Sequence, residues 1–264
     1  MIAKDGIDGG NRFDWGRTAE AYAKFRDIYP EEFYQRIIDL GLCIEGQSVL
    51  DLGTGTGVLP RNLYRFGASF VGVDISEEQI EQACRLSAEA GMDITYTVAS
   101  AEEIIFPDNS FDVVTACQCF MYFDRAVVLP KIRNMLKDGG HFCILQMSWL
   151  PDESEIADHS EKLVLKYNPA WTGSGMKRYT LKSTEWFKEH FELANAVTFD
   201  LPVTFSRESW HGRIKACRGI GASSLTEDKI AAFEKDHVDY LGSLPVTFDI
   251  LHYVSIWDLL RHPY

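Results

Sequence analysis

The stretch VLDLGTGTGVLPRNL, residues 49–63, places three glycines within five positions, between a short apolar run and an amphipathic one. The apolar run predicts a strand over residues 49–52, and the amphipathic pattern predicts a helix over residues 58–66 that ends at Gly67. Glycine permits a positive φ and lets backbone N–H groups approach a ligand with no Cβ in the way. In an open parallel sheet, the turn after the first strand lies where ligands bind. The glycines therefore form either a ligand-binding loop or only a tight strand-to-helix turn.

Strand and helix patterns alternate from this turn to about residue 146. A helix begins at Ser76, which has capping-box spacing to Gln79, and ends before Gly91. The other elements predicted in this part are strands over residues 69–74, 94–99, 111–117 and 141–146 and a helix over residues 125–136. Such alternation predicts an α/β fold with a doubly wound parallel sheet and right-handed crossovers.

The chain after residue 150 has a less regular pattern. It predicts helices over residues 153–167, 183–189, 207–218 and 226–241 and strands over residues 196–205 and 246–257. The last strand alternates apolar and polar residues, which favours an antiparallel strand at the edge of the sheet. No internal repeat and no low-complexity tract is visible.

Composition excludes several classes of function. The net charge is −13 and no run of Lys or Arg occurs, so nucleic acid is not an expected partner. No secretory signal and no apolar stretch of ~20 residues is visible, so no membrane span is expected. The six cysteines are spread along the chain and fit reduced thiols better than a disulfide framework. These features predict a soluble, cytoplasmic protein.

The glycine loop does not fit the dinucleotide fingerprint G-x-G-x-x-G. Counted from Gly53 and Gly55, the third glycine position is occupied by Val58. Asp51 precedes the first glycine and is placed to receive a cationic group. Asp74 ends the second predicted strand, about 20 residues after the loop, where a carboxylate can accept hydrogen bonds from both ribose hydroxyls. The residues therefore indicate a ribose without a pyrophosphate.

At this point the sequence resembles the class I S-adenosylmethionine-dependent methyltransferases that act on small molecules. VLDLGTGTG resembles the first motif of the family, and VGVDIS resembles the second. VASAEEIIFPDNSFDVV is similar to the stretch from the third strand into the fourth, and MLKDGGHFCIL to the Gly-Gly turn into the fifth. FDWGRTAEAYAKFRDIYP is similar to the N-terminal cap helix. The resemblance covers roughly residues 12–150.

The resemblance implies a Rossmann-like sheet of seven strands, mostly parallel with an antiparallel edge strand, with helical caps. It also implies an N-terminal lid over residues 1–35, an S-adenosylmethionine-binding core over residues 36–150, and completion of the sheet with a helical substrate cover over residues 151–264. S-adenosylmethionine is then the cofactor and S-adenosylhomocysteine the product. The oligomeric state is open.

Positions matching the family motifs imply a cofactor site. Asp51 and the glycine loop would hold the methionine end, Asp74 the ribose, and Ile75 the adenine ring. The loop and adenine-edge positions are Gly53, Thr54, Gly55, Gly57, Ser100, Ala101 and Glu102. Many relatives carry an acidic residue where Ser100 stands, so adenine recognition falls either to the backbone or to Glu102.

Residues that face the transferred methyl group are expected at the end of the fourth strand and in the caps. Cys117 and Gln118 leave that strand. Either the cofactor or the acceptor contacts Gln118, or these residues only pack beneath the cap. A metal site at Cys117 and Cys119 is not expected, since no CxxC partner or neighbouring His is present. The lid carries Trp15, Tyr22, Arg26 and Tyr29, whose aromatic rings either shield the sulfonium by cation–π contact or only pack an amphipathic helix.

One histidine of the predicted substrate cover is a candidate general base. His211 lies in SWHGRIKACRGIGAS, and the unperturbed pKa of histidine is near neutrality. The alternative is a structural hydrogen-bonding residue. Arg213 and Arg218 lie in the same segment, as ligands of a substrate carboxylate or as solvated residues.

The predicted function is methyl transfer to O, N or C of a small molecule, with Gln118, Tyr22 and His211 as candidate catalytic residues and no metal. A dedicated base is not required, because the sulfonium already activates the methyl group. Two alternatives remain open: a nicotinamide-dependent oxidoreductase, and a protein that binds S-adenosylmethionine without catalysis.

Overall fold

The computed structural model describes residues 2–179, 181 and 185–263. Its helices are α1 Ala19–Phe25, α2 Glu31–Asp39, α3 Val58–Leu63, α4 Glu77–Glu89, α5 Arg125–Met135, α6 Glu155–Tyr167, α7 Arg207–Lys215 and α8 Glu227–Gly242. Its strands are β1 Ser48–Leu52, β2 Ser69–Asp74, β3 Thr95–Val98, β4 Phe111–Cys117, β5 Leu136–Trp149, β6 Phe191–Ser206 and β7 Thr247–Arg261. Within these residues, no helix combines the length and the apolar character needed to cross a lipid bilayer.

The strands form one seven-stranded sheet in the order β3-β2-β1-β4-β5-β7-β6. β1 pairs in parallel with β2 and β4, β2 with β3, and β4 with β5. The predicted α/β, doubly wound, Rossmann-like fold is confirmed. The position of the last strand differs, because β7 lies between β5 and β6, and β6 forms the edge. β7 is buried on both faces over residues 252–256, whereas much of β6 is exposed, which suits an interior and an edge strand respectively.

Several predicted elements differ from the structure, since β6 begins at Phe191 rather than at residue 196, β7 ends at Arg261 rather than at residue 257, and α7 ends at Lys215 rather than at residue 218. β5 begins at Leu136 rather than at residue 141, because α5 ends at Met135 and the chain is already extended there. Residues 185–190 form turns instead of the end of a helix, and residues 183 and 184 lie outside the described residues. Trp186 contacts the ring of Phe120 and Phe187 is fully buried, so burial of these aromatic side chains outweighs the local helical pattern.

The chain divides into two compact units. Unit 1 comprises Met1–Ile28, Ser148–Arg178 and Asp200–Tyr253, and unit 2 comprises Tyr29–Met147, Tyr179–Phe199 and Val254–Tyr264. The glycine loop and the ends of β1, β2 and β4 belong to unit 2. α6, α7 and α8 belong to unit 1.

Local chemistry explains how unit 2 forms around the glycine loop. β1 is enclosed by β2 and β4, and Val49, Leu50 and Leu52 are fully buried there. The N-cap of α4 is Ser76, whose Oγ accepts a hydrogen bond from the backbone N–H of Gln79 at 3.4 Å, as the capping spacing predicted. Burial of β1 therefore fixes the position of its carboxyl end, and the capped start of α4 fixes the position of the carboxyl end of β2.

Candidate active site

The glycine loop connects β1 to α3 and is shaped by packing inside unit 2. Gly53 and Gly57 have φ of +65° and +71°, which L side chains rarely adopt. A Cβ on Gly53 would lie 2.7 Å from Sγ of Cys119, and a Cβ on Gly57 would lie 2.9 Å from Cζ of Tyr96. Both glycines are thus required by the fold itself.

Asp74 ends β2 with its carboxylate held in one orientation. Oδ2 accepts a hydrogen bond from the backbone N–H of Gly55 at 2.8 Å, and Oδ1 accepts one from the N–H of Ser76 at 2.9 Å. Burial raises the pKa of Asp74, and these backbone hydrogen bonds oppose the rise. The backbone N–H of Ile75 also acts on this carboxylate, and a carboxylate offers about four lone-pair sites, so Asp74 keeps capacity to accept hydrogen bonds from a ligand. The side chain is therefore preorganised to accept hydrogen bonds from a diol.

Asp51 is the buried acid of the site. Its side chain is 2% exposed in β1, and Oδ1 accepts a hydrogen bond of 2.6 Å from Oγ1 of Thr115. Burial raises the pKa of Asp51 to about 7, and the nearby charge of Asp74 adds to the rise. An acid with this pKa is readily ionised by a neighbouring cation, which makes Asp51 suited to a ligand ammonium group.

The predicted adenine-side residues have different environments. Ile75 is 51% exposed although it is apolar. Ala101 is buried in the hydrophobic core, so its side chain points away from solvent. Oγ of Ser100 donates to Glu103 at 2.9 Å, and Oε1 of Glu102 accepts from the N–H of Asp124 at 2.7 Å. Both polar side chains are thus engaged in local structure, and only Ile75 presents an uncovered surface.

The end of β4 turns back sharply at Gln118. Gln118 has a φ of +64°, its backbone N–H donates to the carbonyl of Leu145 at 2.9 Å, and its side-chain amide donates to the carbonyl of Met147. Sγ of Cys119 donates to the carbonyl of Leu52 at 3.0 Å. Among the residues that the structure describes, no group of His, Cys, Asp and Glu side chains is arranged to hold a metal ion.

Tyr29 is the part of the predicted lid that belongs to unit 2. Its ring stacks on Phe33 with centroids 4.5 Å apart, and its hydroxyl accepts a hydrogen bond from Sγ of Cys117 at 3.6 Å. The structure thus brings Tyr29 to the carboxyl end of β4, together with Cys117 and Gln118.

Tyr22, Arg26 and His211 belong to unit 1. The guanidinium of Arg26 lies 4.7 Å from the centroid of the Tyr22 ring, and Trp15 contacts the same ring edge-on at 5.9 Å. The Tyr22 ring is therefore already in cation–π contact with a guanidinium of the protein, and its predicted contact with the sulfonium remains a prediction.

His211 is part of a chain of hydrogen bonds between three helices. Nδ1 of His211 is 3.0 Å from Nδ1 of His237, and Nε2 of His237 is 3.0 Å from Oγ of Ser160. The indole N–H of Trp210 donates to the same Oγ at 2.9 Å. Burial lowers the pKa of His211. This environment supports the structural alternative for His211, and a role as general base remains a prediction.

Strand register explains two site residues that sequence reasoning missed. Thr115 pairs with Asp51 across β1 and β4, and Tyr96 pairs with Gly72 across β2 and β3. The Tyr96 ring lies against Gly72, where a Cβ would be 2.7 Å from Cδ1. Pairing the predicted strands residue by residue is the signal that would have found both contacts.

Comparisons with known proteins identify the family. A family model described as a methyltransferase domain matches residues 50–144, which include the glycine loop, Asp51 and Asp74. Sterol 24-C-methyltransferase of Aspergillus fumigatus is 31% identical in an alignment of length 277 that covers 90% of this chain and 71% of that enzyme. This chain belongs to the class I S-adenosylmethionine-dependent methyltransferases.

Two further proteins are similar to this methyltransferase, one in sequence and one in fold. Ubiquinone biosynthesis O-methyltransferase of Caulobacter vibrioides is 30% identical over 130 residues, covering 48% of this chain and 52% of that enzyme, so the chain spans about half the length of this relative. The YcgJ protein of Bacillus subtilis shares the fold, with a TM-score of 0.54 and 20% identity over 89% of this chain and 100% of that one. The methyltransferase is an enzyme whose cofactor is S-adenosylmethionine.

Proposed function

We propose that this methyltransferase transfers a methyl group to O, N or C of a small-molecule acceptor by in-line displacement. Relatives named for sterol and for ubiquinone biosynthesis support a small acceptor. The net charge of −13 argues against a nucleic-acid substrate. All six cysteines lie in the described residues and are free thiols, which supports the proposed cytoplasmic location.

The held carboxylate of Asp74 is the observation that carries this proposal. Two backbone N–H groups orient it, and its remaining lone pairs suit the two hydroxyls of the cofactor ribose. Asp51 is placed two residues before the loop, where its carboxylate would balance the ammonium of the methionine end. The exposed Ile75 offers an apolar face to adenine. These residues fit S-adenosylmethionine without any pyrophosphate-binding group.

The remaining contacts are proposed by position in the fold. The backbone at Gly53, Gly55 and Gly57 would approach the methionine end, with Thr54 between them. Ser100, Ala101 and Glu102 would line the adenine edge, and Tyr22, Arg26, Tyr29, Cys117 and Gln118 would line the rest of the cofactor. We keep the division into a lid over residues 1–35, a core over residues 36–150 and a substrate cover over residues 151–264 as part of the proposal.

The main task of the protein in this reaction is to align the acceptor atom with the methyl group of the cofactor. Bound S-adenosylmethionine supplies a methyl group already activated by the sulfonium charge. The side-chain amide of Gln118 is anchored to the carbonyl of Met147, which suits it to orient a group at the end of β4. Tyr22 and His211 are the other candidate catalytic residues, Tyr22 at the sulfonium and His211 as a proton acceptor.

Calorimetric titration with S-adenosylhomocysteine tests the cofactor site. Asp74→Ala strands two ligand hydroxyls and two backbone N–H groups, so we expect binding to weaken by ~1–3 kcal/mol. Asp93→Ala is the matched control, because Asp93 is an exposed aspartate of the same unit, and it should bind like the wild type.

Two results would decide against the proposal. Folded wild-type protein that does not bind S-adenosylhomocysteine contradicts the cofactor assignment, and NAD is titrated in parallel to test the oxidoreductase alternative. Binding without turnover on a broad set of acceptors would favour the non-catalytic alternative.

A further inference from the structure

An aromatic cluster in unit 1 surrounds a histidine. We call Trp149, Phe205, Trp210, Arg213 and His252 the His252 cluster. The ring of His252 lies 6.5 Å from that of Trp149 and 6.0 Å from that of Phe205, measured between centroids. Trp210 contacts the rings of both Trp149 and Phe205, and the guanidinium of Arg213 lies 5.2 Å from the Trp149 ring. The cluster thus joins the ends of β5 and β6, the start of β7, and α7.

The proton positions on His252 follow from its surroundings. Nδ1 is 2.9 Å from the carbonyl oxygen of Ile250, and because a carbonyl only accepts, Nδ1 carries the hydrogen. Burial and the positive charges of Arg213 and Arg26 lower the pKa of His252 to about 3, so the ring is neutral near pH 7. Nε2 is consequently a hydrogen-bond acceptor.

Nε2 of His252 is buried and has no hydrogen-bond partner among the described residues. The two indole N–H groups of the cluster are satisfied: Trp149 donates to Glu161 at 2.7 Å and Trp210 donates to Ser160 at 2.9 Å. Leaving a buried acceptor unsatisfied costs ~1–3 kcal/mol, which a phenylalanine at this position would avoid. A buried acceptor without a partner requires an explanation, and a donor supplied by a bound ligand is one.

The charges around Nε2 restrict what that donor is. Arg213 is 4% exposed, and both Arg213 and Arg26 act electrostatically on the His252 ring. A protonated amine would be repelled by these guanidinium groups, whereas an acidic hydroxyl is favoured because they stabilise negative charge on its oxygen. The surrounding rings of Trp149, Phe205 and Trp210 suit an apolar body.

We propose that the His252 cluster binds the methyl acceptor, that the acceptor is a small apolar molecule with a phenolic hydroxyl, and that Nε2 of His252 accepts a hydrogen bond from this hydroxyl. This inference rests on the proposed function. Since Nε2 is buried in the present arrangement, binding requires the side chains around it to move.

The test uses hydroxyl compounds and their methylated counterparts as probes. The panel is phenol and 4-nitrophenol, set against anisole and 4-nitroanisole. Binding to the full chain with S-adenosylhomocysteine present is followed by calorimetry, and the ¹⁵N shift of Nε2 of His252 is followed by NMR. We expect at least one hydroxyl probe to bind at least tenfold more tightly than its methylated counterpart and to move the Nε2 resonance toward that of a hydrogen-bonded nitrogen.

Variants separate this role from a structural one. His252→Phe keeps a ring in the cluster and removes the acceptor, so it should fold as stably as the wild type and lose the preference for the hydroxyl probe. His252→Gln retains an acceptor atom and should recover part of that preference. His159→Phe is the matched control, because His159 is an exposed histidine of the same unit that stacks on Tyr240, and it should behave like the wild type.

The results that would overturn this inference differ from those that would contradict the proposed function. An Nε2 that carries a proton, an Nε2 bonded to a buried water that no probe displaces, or equal binding of every hydroxyl and methylated pair would overturn the inference. Failure of S-adenosylhomocysteine to bind contradicts the proposed function instead, and that titration involves neither the probes nor His252.

Discussion

At the scale of single residues, this methyltransferase shows how one buried group determines the chemistry of its neighbours. Gly57 is explained by Tyr96, whose ring occupies the space of a Cβ, and Asp51 is explained by its burial beside Thr115. Neither environment follows from the local pattern of glycines and acids. Both have consequences that mutations and pH can measure.

Gly57→Ala should destabilise the protein through two separable effects. The positive φ of +71° costs a non-glycine residue about 1 kcal/mol, and the new Cβ clashes with the Tyr96 phenol. Gly91→Ala is the matched control, because Gly91 has a φ of +67° but nothing within 4 Å of its Cβ position. We expect urea unfolding to show a loss of ~2–4 kcal/mol for Gly57→Ala and ~1 kcal/mol for Gly91→Ala. Equal losses would mean that Tyr96 does not constrain the loop.

The affinity for S-adenosylhomocysteine should rise with pH through Asp51. The pKa of Asp51 is raised to about 7, so the carboxylate that we propose as the partner of the ligand ammonium is mostly protonated at pH 6.0 and mostly ionised at pH 7.5. Apparent affinity follows the competent fraction, which predicts roughly five- to tenfold tighter binding at pH 7.5. Asp51→Asn should bind weakly with no such dependence. Calorimetry at the two pH values checks this, and equal wild-type affinities would place the ammonium elsewhere.

The same group makes the ligand-free protein less stable as pH rises. The pKa of Asp51 is higher in the folded than in the unfolded state, so its contribution to stability is present below about pH 4 and is lost as pH rises through about 7. The empty site thus carries an energetic cost at neutral pH. Ionised Asp51 regains a partner when a cation binds.

At the scale of elements, a chain of hydrogen bonds joins three helices of unit 1. His237 of α8 connects the other two helices. Its Nδ1 lies 3.0 Å from Nδ1 of His211 in α7, and its Nε2 lies 3.0 Å from Oγ of Ser160 in α6. The two facing Nδ1 atoms can share only one hydrogen, so at least one of the two rings must be neutral. Packing of α7 and α8 is therefore sensitive to protonation.

Lowering the pH should destabilise the protein through His237. Burial, with the charges of His211 and His159, lowers the pKa of His237 to about 3. A depressed histidine pKa contributes stability that is present above about pH 6.5 and is lost as pH falls toward 3. Between pH 7.5 and pH 5.0 we expect a loss of roughly 1–3 kcal/mol by urea unfolding.

A histidine variant isolates this effect. His237→Gln cannot titrate, so its loss of stability over the same pH range should be smaller than that of the wild type, with a residual part from His252, whose pKa is also lowered. His262→Gln, which replaces a histidine of unit 2 rather than of unit 1, should keep the full dependence. Unchanged pH dependence in His237→Gln would show that the chain of hydrogen bonds tolerates protonation.

Several elements follow from local pattern alone, and others do not. The strands Ser69–Asp74 and Phe111–Cys117 have the predicted bounds, because each is a short apolar run between turn residues. The local pattern predicts a helix over residues 183–189, but residues 185–190 form turns. Trp186 and Phe187 are packed against residues distant in the sequence, which a local pattern does not report. The interior position of β7 is likewise decided by which strands enclose it.

At the scale of the whole molecule, the chain combines a recognisable cofactor-binding sheet with a less regular second unit. Unit 2 contains the residues matched by the family model, and unit 1 contains α6, α7 and α8. The candidate cofactor residues Asp51, Asp74 and Ile75 could be predicted because motif and topology specify them together. His252 could not be predicted, because a lone histidine in an apolar strand carries no pattern.

The sequence by itself determined the fold class, the family and the cofactor of this protein. These depend on short-range patterns, namely a glycine loop after one strand and an acid at the end of the next, and strand order then brings them to one place. Only the tertiary structure decided which side chains meet. Tyr96 packs on Gly57, Thr115 bonds to Asp51, and His237 faces His211. Nε2 of His252 has no hydrogen-bond partner among the described residues. These contacts join residues from separate elements, and local spacing does not constrain their distances or their partners.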